Sequence, residues 1–309
     1  MKKTLLIFGA SGFVGSYLAA EFYNSGYDIY GSDLLKSDAL PDYVNFEECD
    51  ILDGNAVKER VCKVQPTHIV NLAAISSVGV SWSIPQKTVE INVVGSLNIL
   101  EAVKALDKDI KVMFIGSSEE YAVSDAPIDE NGALDSNSPY SISKRMQENF
   151  AQLYRERCGM KVYCVRPFNH TGVGQNDSFV IPSWCKQASE IEKSGSLGVM
   201  RVGNLEPMRD FTDVHDVVNA YRLIIESDDC SRIYNVGSGK AYKLSELLDY
   251  IISLSNQEII VEVDADRFRT VDKPVVLCDN SRLINELGWK PQYTVLNTIN
   301  EIYNSYINS

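Results

Sequence analysis

Two side chains four residues apart, Tyr140 and Lys144, are the first candidates for chemistry in this 309-residue chain. In Tyr140-Ser141-Ile142-Ser143-Lys144 the i,i+4 spacing puts a phenol and an ammonium on one face of a helix. Ser138-Pro139 just ahead reads as an N-cap followed by proline at the first helical position. A free phenol titrates near pH ~10, too high for proton transfer near neutrality. A neighbouring ammonium favours the phenolate, so the pair predicts a tyrosine made acidic enough to exchange protons. Upstream, Gly116-Ser117-Ser118-Glu119-Glu120-Tyr121 ends a strand-like run. Ser117 can hydrogen-bond the oxygen that trades a proton with Tyr140. Glu119 is either a second acid/base at a neighbouring carbon or a ligand for a substrate hydroxyl, and the residues leave both open.

A second group of residues points to a dinucleotide. Gly9-Ala10-Ser11-Gly12-Phe13-Val14-Gly15 lies between a first strand and a first helix. Glycines let the backbone turn tightly and approach a pyrophosphate, whose charge then meets the helix N-terminus. The spacing G-x-x-G-x-x-G is one residue longer than the G-x-G-x-x-G fingerprint. Asp33, at the end of the second strand, can accept hydrogen bonds from an adenosine ribose. The same charge repels a 2′-phosphate, so NAD(H) is expected ahead of NADP(H), which stays open. Asp50-Ile51 follows the third strand, where it can receive the adenine edge. Asn71-Leu72-Ala73-Ala74 ends the fourth with small residues that let a cofactor lie close. An oxidised nicotinamide beside Tyr140 would add its positive charge to that of Lys144.

The elements that must position these groups alternate. Strands are expected at Thr4–Phe8, Asp28–Gly31, Val44–Glu47, His68–Leu72, Lys111–Ile115 and Lys161–Val165. Helices are expected at Gly12–Asn24, Gly54–Val64, Pro85–Ala105 and Pro139–Arg157. Apolar strands separated by helices predict an α/β fold with a doubly wound parallel sheet. Residues 1–167 would form this Rossmann domain, rejoined by later segments including 210–236, with 168–309 mainly a smaller substrate-binding lobe. The net charge of −13 repels nucleic acid and anionic membranes, so neither is expected as a partner. The opening apolar run stops at Gly9, too short for a signal peptide or a membrane span. Seven scattered cysteines with no C-x-x-C pair suit a reducing cytoplasm, and three separated histidines predict no metal site.

In this order, Gly9-x-x-Gly12-x-x-Gly15, Asn71-Leu72-Ala73-Ala74, Ser117 and Tyr140-x-x-x-Lys144 resemble the extended short-chain dehydrogenase/reductase family over essentially the whole chain. The resemblance implies that Ser117, Tyr140 and Lys144 are a catalytic triad, with Lys144 also holding the nicotinamide ribose and Phe168 against the cofactor. Arg166-Pro167-Phe168-Asn169-His170-Thr171-Gly172 looks like a segment of GDP-mannose 4,6-dehydratases and their partner reductases. Gly203-Asn204-Leu205-Glu206-Pro207-Met208-Arg209-Asp210-Phe211-Thr212-Asp213-Val214, Gly116-Ser117-Ser118-Glu119-Glu120-Tyr121 and Arg269-Thr270-Val271-Asp272-Lys273-Pro274 are more similar to the GDP-6-deoxy-4-keto-D-mannose reductases. By that similarity Asn169, Arg209 and Arg269 meet the phosphates of a GDP-linked sugar, with Ser77, Val180 and Asn204 also on the substrate side. His170 either contacts substrate or orders its loop. Relatives dimerise through the helices over Gln86–Ala105 and Tyr140–Tyr154, so a homodimer is expected. Two departures stand out: Ala122 replaces the glycine usual after the family's tyrosine, and Asp33 suits NAD although many relatives prefer NADP.

The expected reaction is reduction of the C4 ketone of a nucleotide-linked 4-keto-6-deoxyhexose, giving GDP-rhamnose or an epimer. A 4,6-dehydratase, epimerase or decarboxylase that keeps NAD bound is the rival, with Glu119 as its second acid/base. A catalytically silent cofactor sensor on the same fold is the third reading.

Overall fold

The run Thr4–Phe8 forms β1, fully buried from Leu5 to Phe8, and its apolar side chains on both faces demand cover from helices on either side. The computed structural model describes residues 3–106, 108–228, 230–265, 268 and 273–309. After β1 come α1 (Phe13–Asn24), β2 (Asp28–Asp33), β3 (Asn45–Glu48), α2 (Gly54–Val64) and β4 (His68–Asn71). Then follow α3 (Val78–Ser83), α4 (Pro85–Val89), α5 (Gly95–Leu106), β5 (Lys111–Ile115), α6 (Pro139–Cys158) and β6 (Lys161–Pro167). The later chain supplies β7 (Asn169–Thr171), α7 (Val180–Ser194), β8 (Gly198–Val202), β9 (Met208–Asp213), α8 (Val214–Glu226) and β10 (Ile233–Val236). It ends with β11 (Ala241–Lys243), α9 (Leu244–Ser253), β12 (Ile259–Val263), β13 (Val275–Val276), α10 (Ser281–Leu287) and α11 (Val295–Asn308).

The main sheet is parallel throughout, in the order β10-β6-β5-β4-β1-β2-β3. One face is covered by α1 and α8, the other by α2, α5 and α6, and each face has its own apolar cluster. The doubly wound sheet expected from the alternating pattern is the one present. A four-stranded sheet of β7, β9, β11 and β13 and a two-stranded sheet of β8 and β12 lie outside it, packed with α7, α9 and α11 on a third cluster. Within 210–236, α8 packs on α1 and β10 joins the main sheet beside β6, whereas β9 belongs to the smaller sheet.

Two local features depart from the expected elements. The single helix expected over Pro85–Ala105 is interrupted by a π-helical turn, Glu90–Val94, because buried Asn92 turns its amide outward from the helix. Its Oδ1 accepts from Ile75 N at 2.8 Å, and its Nδ2 donates to Ile75 O and to Ser143 Oγ. Helix α3 went unrecognised because it is only 6 residues long. Its Ser81 Oγ nevertheless accepts from Tyr140 N at 3.2 Å, at the first turn of α6.

Helix α8 binds the two halves of the chain through buried side chains such as Ile224. Ile224→Ala is expected to cost about 2–5 kcal/mol of stability, read as a lower urea midpoint with an unchanged slope.

Candidate functional site

Parallel strands all point the same way, so the segments after β1, β2, β4, β5 and β6 emerge along one edge of the sheet. That is how distant motifs come to share a site. After β1, Gly9 takes φ +79°, and a Cβ there would sit 2.4 Å from Ala73 N. A Cβ on Gly15 would lie 2.0 Å from Ala10 O. Gly12 differs: a Cβ would meet only Gly9 O, at 3.4 Å, and this residue is the N-cap of α1, with no side-chain cap. The turn is therefore closed toward the protein and open toward solvent, with backbone donors at its mouth, which fits a pyrophosphate.

Asp33 is fastened to this turn. Its Oδ2 accepts from Ser11 N at 3.1 Å and its Oδ1 from Leu34 N at 2.8 Å. Leu72 N and Ala73 N both donate to Phe8 O, which draws the end of β4 against the glycine turn, with Ala74 next in line. Asp50 Oδ1 closes its own turn on Leu52 N, while Ile51 is buried and packs under Gly95. Phe13 stacks on His170 with ring centres 6.4 Å apart, linking the turn to the segment after β6, where Phe168 is buried.

Ser117, Tyr140 and Lys144 meet at the end of β5. Ser138 caps α6 and Pro139 starts it, as the sequence predicts, so Tyr140 and Lys144 sit in its first turns on the buried face. The Ser117 side chain is near enough to the Tyr140 phenol to favour its ionised form. Lys144 Nζ lies 5.9 Å from the centre of the phenol ring and donates to Ile115 O at 2.7 Å. The expected acidification of Tyr140 by Lys144 is not what this arrangement gives. Burial raises the phenol above its usual range; Ser117 opposes this, and the Glu119 and Glu120 carboxylates add to it. Tyr140 is thus held protonated. Burial also brings Lys144 down to about 8, with Glu120 acting in the opposite sense.

Behind this cluster is a buried charged network that spacing alone could not reveal. Arg166 gives Nε and Nη2 to Glu148 and Nη1 to the Tyr121 hydroxyl. Glu120 Oε1 accepts from Ser117 N at 2.9 Å, and its Oε2 lies 4.0 Å from Arg166 Nε. Burial, then repulsion from Glu148, raises Glu120 to about 7 against the pull of Arg166, Ser117 N–H and Lys144. Lys273 was also missed. Its buried Nζ donates to Tyr121 O at 2.7 Å and lies 3.6 Å from Glu119 Oε2.

On the substrate side, β7 and β9 are parallel neighbours with Asn169 opposite Phe211. Alternation then puts Asn169 and Arg209 on one face of that sheet. Ser77 caps α3, Val180 begins α7, and Asn204 Oδ1 accepts from Glu206 N. These three are not tied to the triad by any hydrogen bond described. Arg269 lies outside the described residues. Among the described residues there is no group of metal-ligating side chains and no helix long and apolar enough to cross a membrane.

A match to the GDP-mannose 4,6 dehydratase family spans residues 6–302. The chain belongs to that family. It is therefore a nicotinamide-dependent enzyme of the extended short-chain dehydrogenase/reductase type. GDP-6-deoxy-D-mannose reductase of Pseudomonas aeruginosa is 29% identical over 316 residues, covering 99% of this chain and 98% of that protein. GDP-mannose 4,6-dehydratase of Vibrio cholerae serotype O1 is 27% identical over 347 residues, covering 97% and 92%. The solved structure of RMD from Pseudomonas aeruginosa with NADPH superimposes with a TM-score of 0.84 at 28% identity, over 100% of this chain and 98% of that one.

The two buried groups of this family member give opposite pH slopes. Glu120 moves from 4.5 to about 7, so between those values the native chain keeps a proton that the unfolded chain has released, and stability falls as pH rises. Lys144 moves from 10.5 to about 8, so between about 8 and 10.5 the unfolded chain holds the extra proton, and stability rises with pH. Urea unfolding at pH 5, 6 and 7 is expected to show a falling limb that Glu120→Gln flattens; identical slopes in the two proteins would contradict this assignment.

Proposed function

We propose that this enzyme reduces the C4 ketone of a GDP-linked 4-keto-6-deoxyhexose, using NADH and giving GDP-rhamnose or its C4 epimer. The observation that carries this reading is the buried Ser117–Tyr140–Lys144 cluster at the strand ends beside the glycine turn. A ketone reduction begins with a protonated acid, whereas an alcohol oxidation begins with a base.

The bound dinucleotide supplies the hydride. Tyr140 gives its phenolic proton to the C4 oxygen as that oxygen takes on negative charge. Ser117 Oγ donates a hydrogen bond to the same oxygen, stabilising the charge where it develops. Lys144, held on Ile115 O, keeps a positive charge near the phenolate that results and carries the nicotinamide ribose. Asn169 and Arg209 receive the sugar nucleotide's diphosphate. Arg209 supplies local positive charge in a chain of net charge −13, and its guanidinium suits bidentate phosphate bonding. Arg269 is assigned to the same diphosphate.

Asp33 supports NADH over NADPH. A carboxylate fixed by Ser11 N and Leu34 N can accept from ribose hydroxyls and repels a 2′-phosphate. The relevant assembly is a homodimer through α5 and α6, the latter exposing Ile142 and Leu153 on its outer surface. The described cysteines are free thiols, which suits a cytoplasmic protein.

The dehydratase or epimerase reading is favoured by one observation: Glu119 is close enough to Tyr140 for its charge to bear on the phenol. Its pairing with Lys273 suits a carboxylate that orients a substrate hydroxyl, and the reductase needs no more of it.

Mixing the enzyme with GDP-4-keto-6-deoxymannose and NADH should consume NADH absorbance one for one with sugar reduced, and NADH should outperform NADPH in kcat/KM. Tyr140→Phe should lose about 100-fold or more in kcat while keeping dinucleotide affinity within about twofold. Glu119→Gln separates the rivals. A modest loss fits the reductase, whereas turnover without net NADH change and a severe loss in this variant would establish the dehydratase group instead.

A further inference from the structure

We propose that Glu120 is a positioning residue for the proton-transfer group, a buried carboxylate that fixes Ser117 and serves as the counter-charge for Lys144. The inference rests on Tyr140 and Lys144 being the proton-transfer pair and goes beyond it to what holds that pair in working order.

The geometry is a clamp with opposite charges at its two ends. Lys144 Nζ grips Ile115 O at 2.7 Å, and Glu120 Oε1 grips Ser117 N at 2.9 Å, one on each side of Gly116. A Cβ on Gly116 would lie 2.6 Å from Glu120 Oε1 and 3.0 Å from Val165 O, so only glycine lets the carboxylate reach this place. Ser117 Oγ in turn accepts from Glu119 N, completing a reciprocal cap that sets where the hydroxyl points toward Tyr140.

Glu120 is fully buried, and its Oε2 has no hydrogen-bond partner. An acid placed there without full satisfaction destabilises the fold near neutrality. Arg166, which would be its natural partner, is already taken by Glu148. The charged and titratable groups that face Glu120 are Tyr140, Lys144 and Glu148 on α6, Arg166 and Cys164 on β6, and Glu119 in its own turn. Of these, Lys144 is the cation left without a carboxylate of its own by the ion pairs described. An ionised Glu120 therefore keeps Lys144 charged in a pocket where burial works against that charge.

The test reads Lys144 directly, in dinucleotide-free protein carrying carbon-13-labelled lysine. The Lys144 signal is assigned by its loss in Lys144→Arg, and its titration midpoint is followed by NMR. The parent is expected to titrate at about 8. In Glu120→Gln, which keeps an acceptor for Ser117 N, the midpoint should fall by about 1 pH unit. Glu120→Asp keeps the charge and should fall by less. In turnover, the alkaline limb of kcat should move to lower pH in Glu120→Gln, with KM within about twofold of the parent. An unmoved Lys144 midpoint in Glu120→Gln, or equal movement in the Asp and Gln variants, overturns the proposal. A moved midpoint in Glu120→Gln together with a parent that reduces no keto sugar keeps this inference and removes the functional reading; an active parent with an unmoved midpoint in the variant does the reverse.

Discussion

Everything at the end of β5 depends on keeping charge where water does not reach. Lys144 and Glu148 on α6, Arg166 on β6 and Glu120 in the turn after β5 are each at most 4% exposed. Buried ions are tolerated only when paired and hydrogen-bonded, and removing one partner leaves the other stranded. Arg166 therefore does more than fill space beneath the sheet. By engaging Glu148 and the Tyr121 hydroxyl, it leaves Glu120 to Ser117 and Lys144. The same network reaches outward: Tyr121 bonds Asn235 on β10, and Lys273 bonds the Tyr121 carbonyl. A strand at the sheet's far edge and a loop from the end of the chain are thus tied to the residues that move protons.

The first half of the fold was legible because its signals are local. Thr4–Phe8 is too apolar for a one-sided strand, and the glycine turn follows it directly. Ser138-Pro139 announces a helix start, and the i,i+4 spacing of Tyr140 and Lys144 becomes a shared face once that helix forms. Later elements were less legible because their partners are remote in sequence. Ile233–Val236 lies in the segment expected to rejoin the main sheet, but nothing near it names β6 as its neighbour, and nothing near Met208–Asp213 says that it leaves that sheet to carry Arg209 on the face of Asn169. The π-helical turn was hidden for a different reason. Asn92 reads as an ordinary polar residue until Ile75 and Ser143 supply the partners that draw its amide away from the helix.

The charge environment of Tyr140 shows how far spacing alone reaches. Spacing predicted that Lys144 would be near, and it is. It could not say that burial would raise the phenol, or that Glu119 and Glu120 would both act on it in the same sense. Desolvation depends on everything packed around a group, and α6 packs against elements as remote in sequence as α3, β6 and the turn after β5. A glutamate pair in Gly116-Ser117-Ser118-Glu119-Glu120-Tyr121 looks like two equivalent carboxylates. The short helical turn at Ser118–Glu120 separates them, pointing Glu120 inward beneath Ser117 and leaving Glu119 beside Lys273.

That separation bears on chemistry. A site with one proton donor and an oriented carboxylate is suited to a single hydride and proton delivered to a ketone. A site that oxidises first and returns the hydride needs a base at the start and a second group to move protons between carbons. Here Glu120 is buried and engaged behind the serine, and Glu119 faces an ammonium. The two carboxylates beside the serine thus divide between supporting the triad and addressing the sugar. Neither is placed as an unencumbered base, and this asymmetry within one family fold inclines the site toward reduction.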